Sequence, residues 1–189
     1  MMRRLEGYAV VWDALSLNLG GFRERFTRGA FGDPGGADVR FLIGHDDASI
    51  PLGRTKSGTL RLLSDSRGLA FEVDLPGSEP ALTLFEAVRR GDLTGMSFGF
   101  TGARDKWEQD AEGLLRTVTS ATLTEVSAVA WPAYPATRVS VAGDLSATPS
   151  AKSETVRQMC ERQAVAARVV PANLDLARRR MQLARMRHG

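Results

Sequence analysis

Several stretches among the first 145 positions alternate apolar and polar residues, and one shows a helical period instead. Leu69, Phe71, Val73 and Leu75 alternate with Ala70, Glu72 and Asp74. A period of two marks a strand with one face buried and the other wet. Leu5 to Trp12 reads as an opening strand, Val39 to Gly44 as another, and Thr59 to Leu63 as a third that meets Leu69 through a hairpin-type connection, Ser64-Asp65-Ser66-Arg67-Gly68. Asn18 to Gly21, Gly32 to Gly36 and Pro51 to Arg54 are turns or loops by composition. Pro76-Gly77 ends the alternation. Ala81, Leu84, Phe85 and Val88 then fall at i, i+3, i+4 and i+7, a helical stripe. Ser78 suits its N-cap, Pro80 its first turn, Arg89 and Arg90 its last, and Gly91 its end.

The helix leads into Gly95-Met96-Ser97-Phe98-Gly99-Phe100. Met96, Phe98 and Phe100 form one apolar face. The other face carries a hydroxyl between two residues without side chains, so a backbone or a substrate can approach the Ser97 oxygen. Gly102 to Gly113 is polar and reads as a hairpin tip around Trp107. Leu114 to Ala130, rich in Thr and Val, reads as one long strand or two, broken by Trp131-Pro132-Ala133-Tyr134-Pro135; Val139 and Val141 suggest a last short strand. Many short strands with one inserted helix predict a β-dominated α+β fold, a barrel or a sandwich. From Ser146 the character changes. Ala147 to Ala151 has a linker composition, Ser153 can cap a helix that Pro171 stops, and Asn173 can cap another with an arginine cluster at Arg178, Arg179 and Arg180. The expected division is a folded body over 1–145 and a linker with a basic helical tail over 146–189.

Composition narrows the function. With 189 residues and 43% hydrophobic positions, one domain with a real core plus an appendage is expected. Cys160 is the sole cysteine, which excludes an intramolecular disulfide and fits a reducing compartment. Glu6 and Asp13 interrupt any leader-like apolar core, and no run is long enough for a bilayer, so no membrane association is expected. The net charge of +3 is uneven. From Leu145 on there are nine Lys or Arg against three Asp or Glu, and sixteen against nineteen before it. The body therefore lacks the basic excess that nucleic-acid binding wants, and no specific nucleic acid is expected as partner. The tail reads either as a solvated basic helix or as a docking segment for an acidic partner. No ligand cluster for a metal stands in the sequence, and no cofactor is expected.

A serine hydroxyl needs a base to act as nucleophile. The chain has two histidines. His188 is the penultimate residue, so a serine hydrolase would have to use His45. The purely structural readings are a strand serine beside packing glycines and a hydrogen-bonded histidine at a strand end. Gly95-x-Ser97-x-Gly99 formally matches the nucleophile elbow of α/β-hydrolases, but here a strand continues after the serine and the histidine comes first. Glu125, inside the Leu123 to Val129 segment, a strand that should otherwise be at least half buried, is the candidate for orienting the imidazole, because a carboxylate there needs a donor or water. Asp46 and Asp47 compete for that role, and a solvent-facing Glu125 on an edge strand is the structural alternative.

The ordered set of these segments resembles the prohead (procapsid maturation) proteases of tailed bacteriophages, related in fold to herpesvirus assembly proteases. It comprises Gly7-Tyr8-Ala9, Gly29-Ala30-Phe31, Leu42-Ile43-Gly44-His45-Asp46, Pro51-Leu52-Gly53, Gly68-Leu69, Gly91 to Phe100, Leu123 to Ser127 and Pro132-Ala133. The resemblance implies a closed β-barrel of antiparallel type with surrounding helices, and a serine endopeptidase with His45, Ser97 and Glu125 as catalytic residues. It implies action inside the immature procapsid in the bacterial host cytoplasm, on the major capsid protein precursor or scaffold and on the enzyme itself; a homo-oligomer is compatible with it. The loop after Glu125 and Phe98-Gly99 are the segments that could supply oxyanion donors. The rivals are a catalytically silent capsid- or scaffold-binding protein of the same fold and a small-substrate esterase.

Overall fold

A computed structural model describes residues 3–142. The linker and the two tail helices expected after Ser146 lie outside the described residues. Nine strands and one α-helix follow in order among the described residues: β1 Arg4–Val11, β2 Phe22–Phe26, β3 Arg40–Ile43, β4 Gly53–Arg54, β5 Leu60–Ser64, β6 Gly68–Asp74, α1 Glu79–Arg90, β7 Gly95–Asp110, β8 Gly113–Val129 and β9 Arg138–Val141. A short 3-10 turn, Thr55–Ser57, follows β4.

The strands make two sheets. The first is antiparallel throughout, in the order β5-β6-β1-β9. The second is built on β8. β2 and β3 lie one after the other along β8 and run parallel to it, β4 pairs antiparallel with β3, and β7 pairs antiparallel with β8 over the length of the strand. The inner faces share one core. Leu5, Val10, Leu69, Phe71 and Val73 of the first sheet meet Phe41, Met96, Phe98, Val118 and Val126 of the second. The Phe41 and Phe71 rings touch across the gap with centroids 5.7 Å apart.

The expected closed barrel is not formed. No strand ladder joins the two sheets among the described residues. Where β9 nears the start of β7, one backbone bond, Val139 N–H to Thr94 O at 2.9 Å, makes the link. Barrels and packed sheets bury the same alternating faces, so periodicity does not separate them. Pairing is also not antiparallel throughout, since β2 and β3 run parallel to β8. In place of surrounding helices there is α1 alone among the described residues; it buries Ala81, Leu84 and Val88 as the stripe predicts. Ser78 stands at its N-cap but makes no side-chain cap bond, while Gly91 closes the helix in the left-handed region at φ 78°.

The polar Gly102 to Gly113 stretch is not a hairpin tip. β7 continues to Asp110, and Trp107 pairs with Arg116 inside the ladder. Charges meet across the ribbon, as where Arg116 binds Asp105 at 2.7 Å. Here β7 is the edge of a three-stranded stretch, with β8 beside it and β2 beyond, and an edge strand that carries charges loses its apolar period. β2 was hidden for a related reason. Glu24 takes an inward position beside Phe26 and is itself buried, bound by Arg116 at 2.6 Å and by the Tyr134 hydroxyl. Burial raises its pKa against the pull of Arg116 and the Tyr134 bond.

Candidate active site

The site lies on the face of the second sheet turned away from the core. In β7, Met96 and Phe98 point inward, both buried. Phe98 packs edge-on against Phe26 at 5.0 Å between centroids and tilted against Tyr134 at 5.0 Å. That aromatic cluster anchors the strand from beneath, and Ser97 faces the other way by the strand alternation. The free edge of β7 is pinned by Thr137. Its hydroxyl accepts the Met96 N–H at 3.1 Å and lies 2.7 Å from the Met96 carbonyl oxygen.

Ser97 stands directly opposite Ser127 of β8, and Gly99 opposite Glu125. Directly opposed residues share a face, so Ser97, Ser127 and Glu125 share this one. The two glycines beside Ser97 do make room, but for this chain's own side chains. A Cβ on Gly99 would come within 2.7 Å of Glu125 Oε1, and one on Gly95 within 2.6 Å of the Pro132 ring. The face expected to be open to an incoming backbone is therefore a tray: Pro132 over Gly95, Ser97 in the middle, Glu125 over Gly99. Ser97 is 8% exposed.

His45 reaches this face from the end of β3, which lies alongside β8 with Leu42 opposite Ser127 and Ile43 opposite Ala128. Gly44 and His45 both have φ near +62°, and Asp46 N–H closes on Ile43 O at 3.1 Å. Two successive positive φ values with that bond form a tight turn of the I′ kind. Left-handed φ is costly for a residue with a side chain, so the surroundings must hold His45 there. They do: Gly44 N–H binds Ala128 O at 3.0 Å, and His45 N–H binds Ser127 Oγ at 3.3 Å.

The turn folds the imidazole back over β8, where Nδ1 lies 2.6 Å from Glu125 Oε1. A carboxylate at that distance keeps the proton on Nδ1 and leaves Nε2 as the basic nitrogen. The other Glu125 oxygen, Oε2, accepts from Ser127 Oγ at 2.6 Å. Asp46 instead caps its own loop, accepting from Ala48 N–H and Ser49 Oγ, and these bonds, Ser49's first, lower its pKa. The carboxylate that meets the ring is thus the one 80 residues away in sequence rather than the neighbour. Ser97 Oγ makes no hydrogen bond among the described residues. Glu125 is followed by strand up to Val129, so no loop stands directly after it to present free N–H groups. Ser127 of β8 is a functional residue that local pattern alone does not mark as such. The pattern does mark its side of the strand: two residues from Glu125, it must share that residue's face. Among the described residues no group of His, Cys, Asp and Glu could hold a metal, and no helix is long and apolar enough to cross a membrane.

A carboxylate–imidazole pair with a serine hydroxyl on the adjoining strand is the equipment of acyl transfer. The model of the caudovirus prohead serine protease family matches residues 1–151. The chain belongs to that family. It is a serine protease of capsid maturation in tailed phages, and its association is with capsid precursor proteins in the host. No curated protein matches the chain. Among solved structures, the protease resembles KSHV protease in complex with a hexapeptide phosphonate inhibitor, at 13% identity over 89% of this chain and 78% of that one, with a TM-score of 0.45. A likeness of that size carries no weight for the site.

Proposed function

We propose that Ser97, His45 and Glu125 are the catalytic residues of this protease, and that it cuts scaffold or capsid-precursor segments and its own tail within the procapsid. The observation that carries the site is the 2.6 Å contact between His45 Nδ1 and Glu125 Oε1, which leaves Nε2 as the base on the serine face. Ser97 Oγ attacks the scissile carbonyl carbon while His45 Nε2 takes its proton. The tetrahedral intermediate collapses, the leaving amine takes that proton, and water repeats the sequence on the acyl-serine. Glu125 holds the ring and offsets the imidazolium charge.

The attack needs Ser97 Oγ within hydrogen-bond reach of Nε2, which a bound peptide brings about by ordering the serine rotamer; catalytic bonds commonly tighten only with substrate present. For the oxyanion we assign the Phe98 N–H. Met96 turns its N–H to Thr137, off the β8 side. By strand alternation Phe98 does the same, beside the nucleophile.

The tail reading rests on the shift in composition and charge at Ser146. Residues 146–189 dock on scaffold or shell and are released by a cut near Ala147 to Ala151. The test is co-expression of the full chain with its capsid precursor, read by intact mass. Wild type converts the precursor and shortens itself; Ser97→Ala and His45→Ala do neither. Conversion by Ser97→Ala at the wild-type rate overturns the catalytic assignment. Full-length wild type after complete precursor conversion overturns the self-cleavage.

A further inference from the structure

Ser127 is fully buried, yet its hydroxyl is engaged on two sides. It donates to Glu125 Oε2 at 2.6 Å and accepts the His45 backbone N–H at 3.3 Å. These bonds reach two separate parts of the site. The first holds the carboxylate oxygen that the imidazole leaves unused. The second holds the main chain of His45, at a left-handed φ of 62° that is uncommon for any residue with a side chain. The same residue stands across the ladder from Ser97. One hydroxyl thus ties the acid, the backbone of the histidine and the strand opposite the serine into one frame.

We infer that Ser127 is a positioning residue for proteolysis: it clamps Glu125 and the His45 turn so that Nε2 faces Ser97. The inference rests on the catalytic reading of Ser97, His45 and Glu125. A carboxylate with one oxygen bound can swing about its terminal torsion, which is broad and soft; with both oxygens bound it cannot. A glutamate free to swing would still touch the ring, but in several orientations, and a displacement of about 1 Å at such a site can cost on the order of 100-fold in rate. A serine present only for packing would have neither effect.

The test is steady-state cleavage of the capsid precursor by the full chain, as wild type, Ser127→Ala, Glu125→Gln and the double variant. Loss of the clamp predicts a fall in kcat of about tenfold for Ser127→Ala with KM within about twofold, since the hydroxyl acts on orientation rather than on substrate. It also predicts that the double variant loses less than the product of the two single losses, because one of the two bonds of Ser127 acts through Glu125. Losses that multiply, or a change in KM with kcat intact, overturn the inference. Ser97→Ala is run alongside; if it retains activity, the catalytic reading fails, which is a separate result from an inert Ser127→Ala beside a dead Ser97→Ala. Should Ser127→Ala not fold, NMR of the Ser97→Ala chain decides. A Ser127 hydroxyl proton protected from exchange and close to the His45 amide supports the clamp, and a freely exchanging one overturns it.

Discussion

At the scale of single residues, the site depends on one missing side chain. Gly99 leaves the volume that Glu125 Oε1 occupies, and that oxygen is the one 2.6 Å from the His45 ring. A methyl at this position meets the end of a flexible side chain, so the strand can survive while the carboxylate is pushed aside. Gly99→Ala is therefore expected to lower kcat by roughly 10- to 100-fold with a small change in unfolding midpoint. Rate and melting curves on the same preparation check this, and a rate loss that merely tracks unfolding contradicts it. Arg116 gives the contrasting case. Its partner Glu24 is 4% exposed, and Arg116→Ala strands a buried carboxylate. A loss of about 3 kcal/mol in denaturant unfolding is expected.

At the scale of elements, β8 is the axis and β7 the arm that carries the serine. Seventeen residues let β8 hold β2 through Leu114–Val118 and β3 through Glu125–Ala128. The parallel β3 pairing delivers His45 next to the acid and the serine strand. β7 has β8 on one side and, next to the nucleophile, Thr137 on the other. Thr137→Val keeps the shape and removes the hydroxyl that accepts the buried Met96 N–H. It is expected to cost about 1–3 kcal/mol in stability and, through the Ser97 backbone, more in kcat than in KM. Hydrogen exchange at Met96 is the direct measurement; an amide that stays protected counts against the pin.

For the whole molecule, surface carboxylates set the acid limit. Asp74 is held at about 2, below its ordinary 3.8, chiefly by its bond to Arg61 and then by that to Arg4. Asp38 is likewise held at about 2, mainly by its bonds to Arg54. A lowered folded pKa adds stability that is complete above the unfolded value and lost as the pH falls through the folded one. Their contribution is thus intact above about pH 4 and disappears towards pH 2. Glu24 has the opposite sign, because burial raises its pKa and its ionisation costs stability as pH rises. Unfolding free energies measured between pH 5 and pH 2 are expected to fall, and Asp74→Asn to flatten that limb; an unchanged slope in Asp74→Asn contradicts the assignment.

Much of this was written in local order. The period-two run in β6, the stripe of α1 with Gly91 at its end, and the Met96 and Phe98 face of β7 follow from alternation and turn chemistry alone, which act between near neighbours. Scarcity of histidine singled out His45 as the base a hydrolase would use. Other features have no local signal. Whether two sheet edges zip into a barrel, which strands run parallel to β8, and that the volume above Gly99 goes to Glu125 are decided by contacts between segments tens of residues apart. The same holds for Ser127, whose place on the Glu125 face follows from the strand period. Its hydroxyl acquires a partner on each side once the left-handed turn at His45 folds back over β8, because a hydrogen bond needs both of its ends in place.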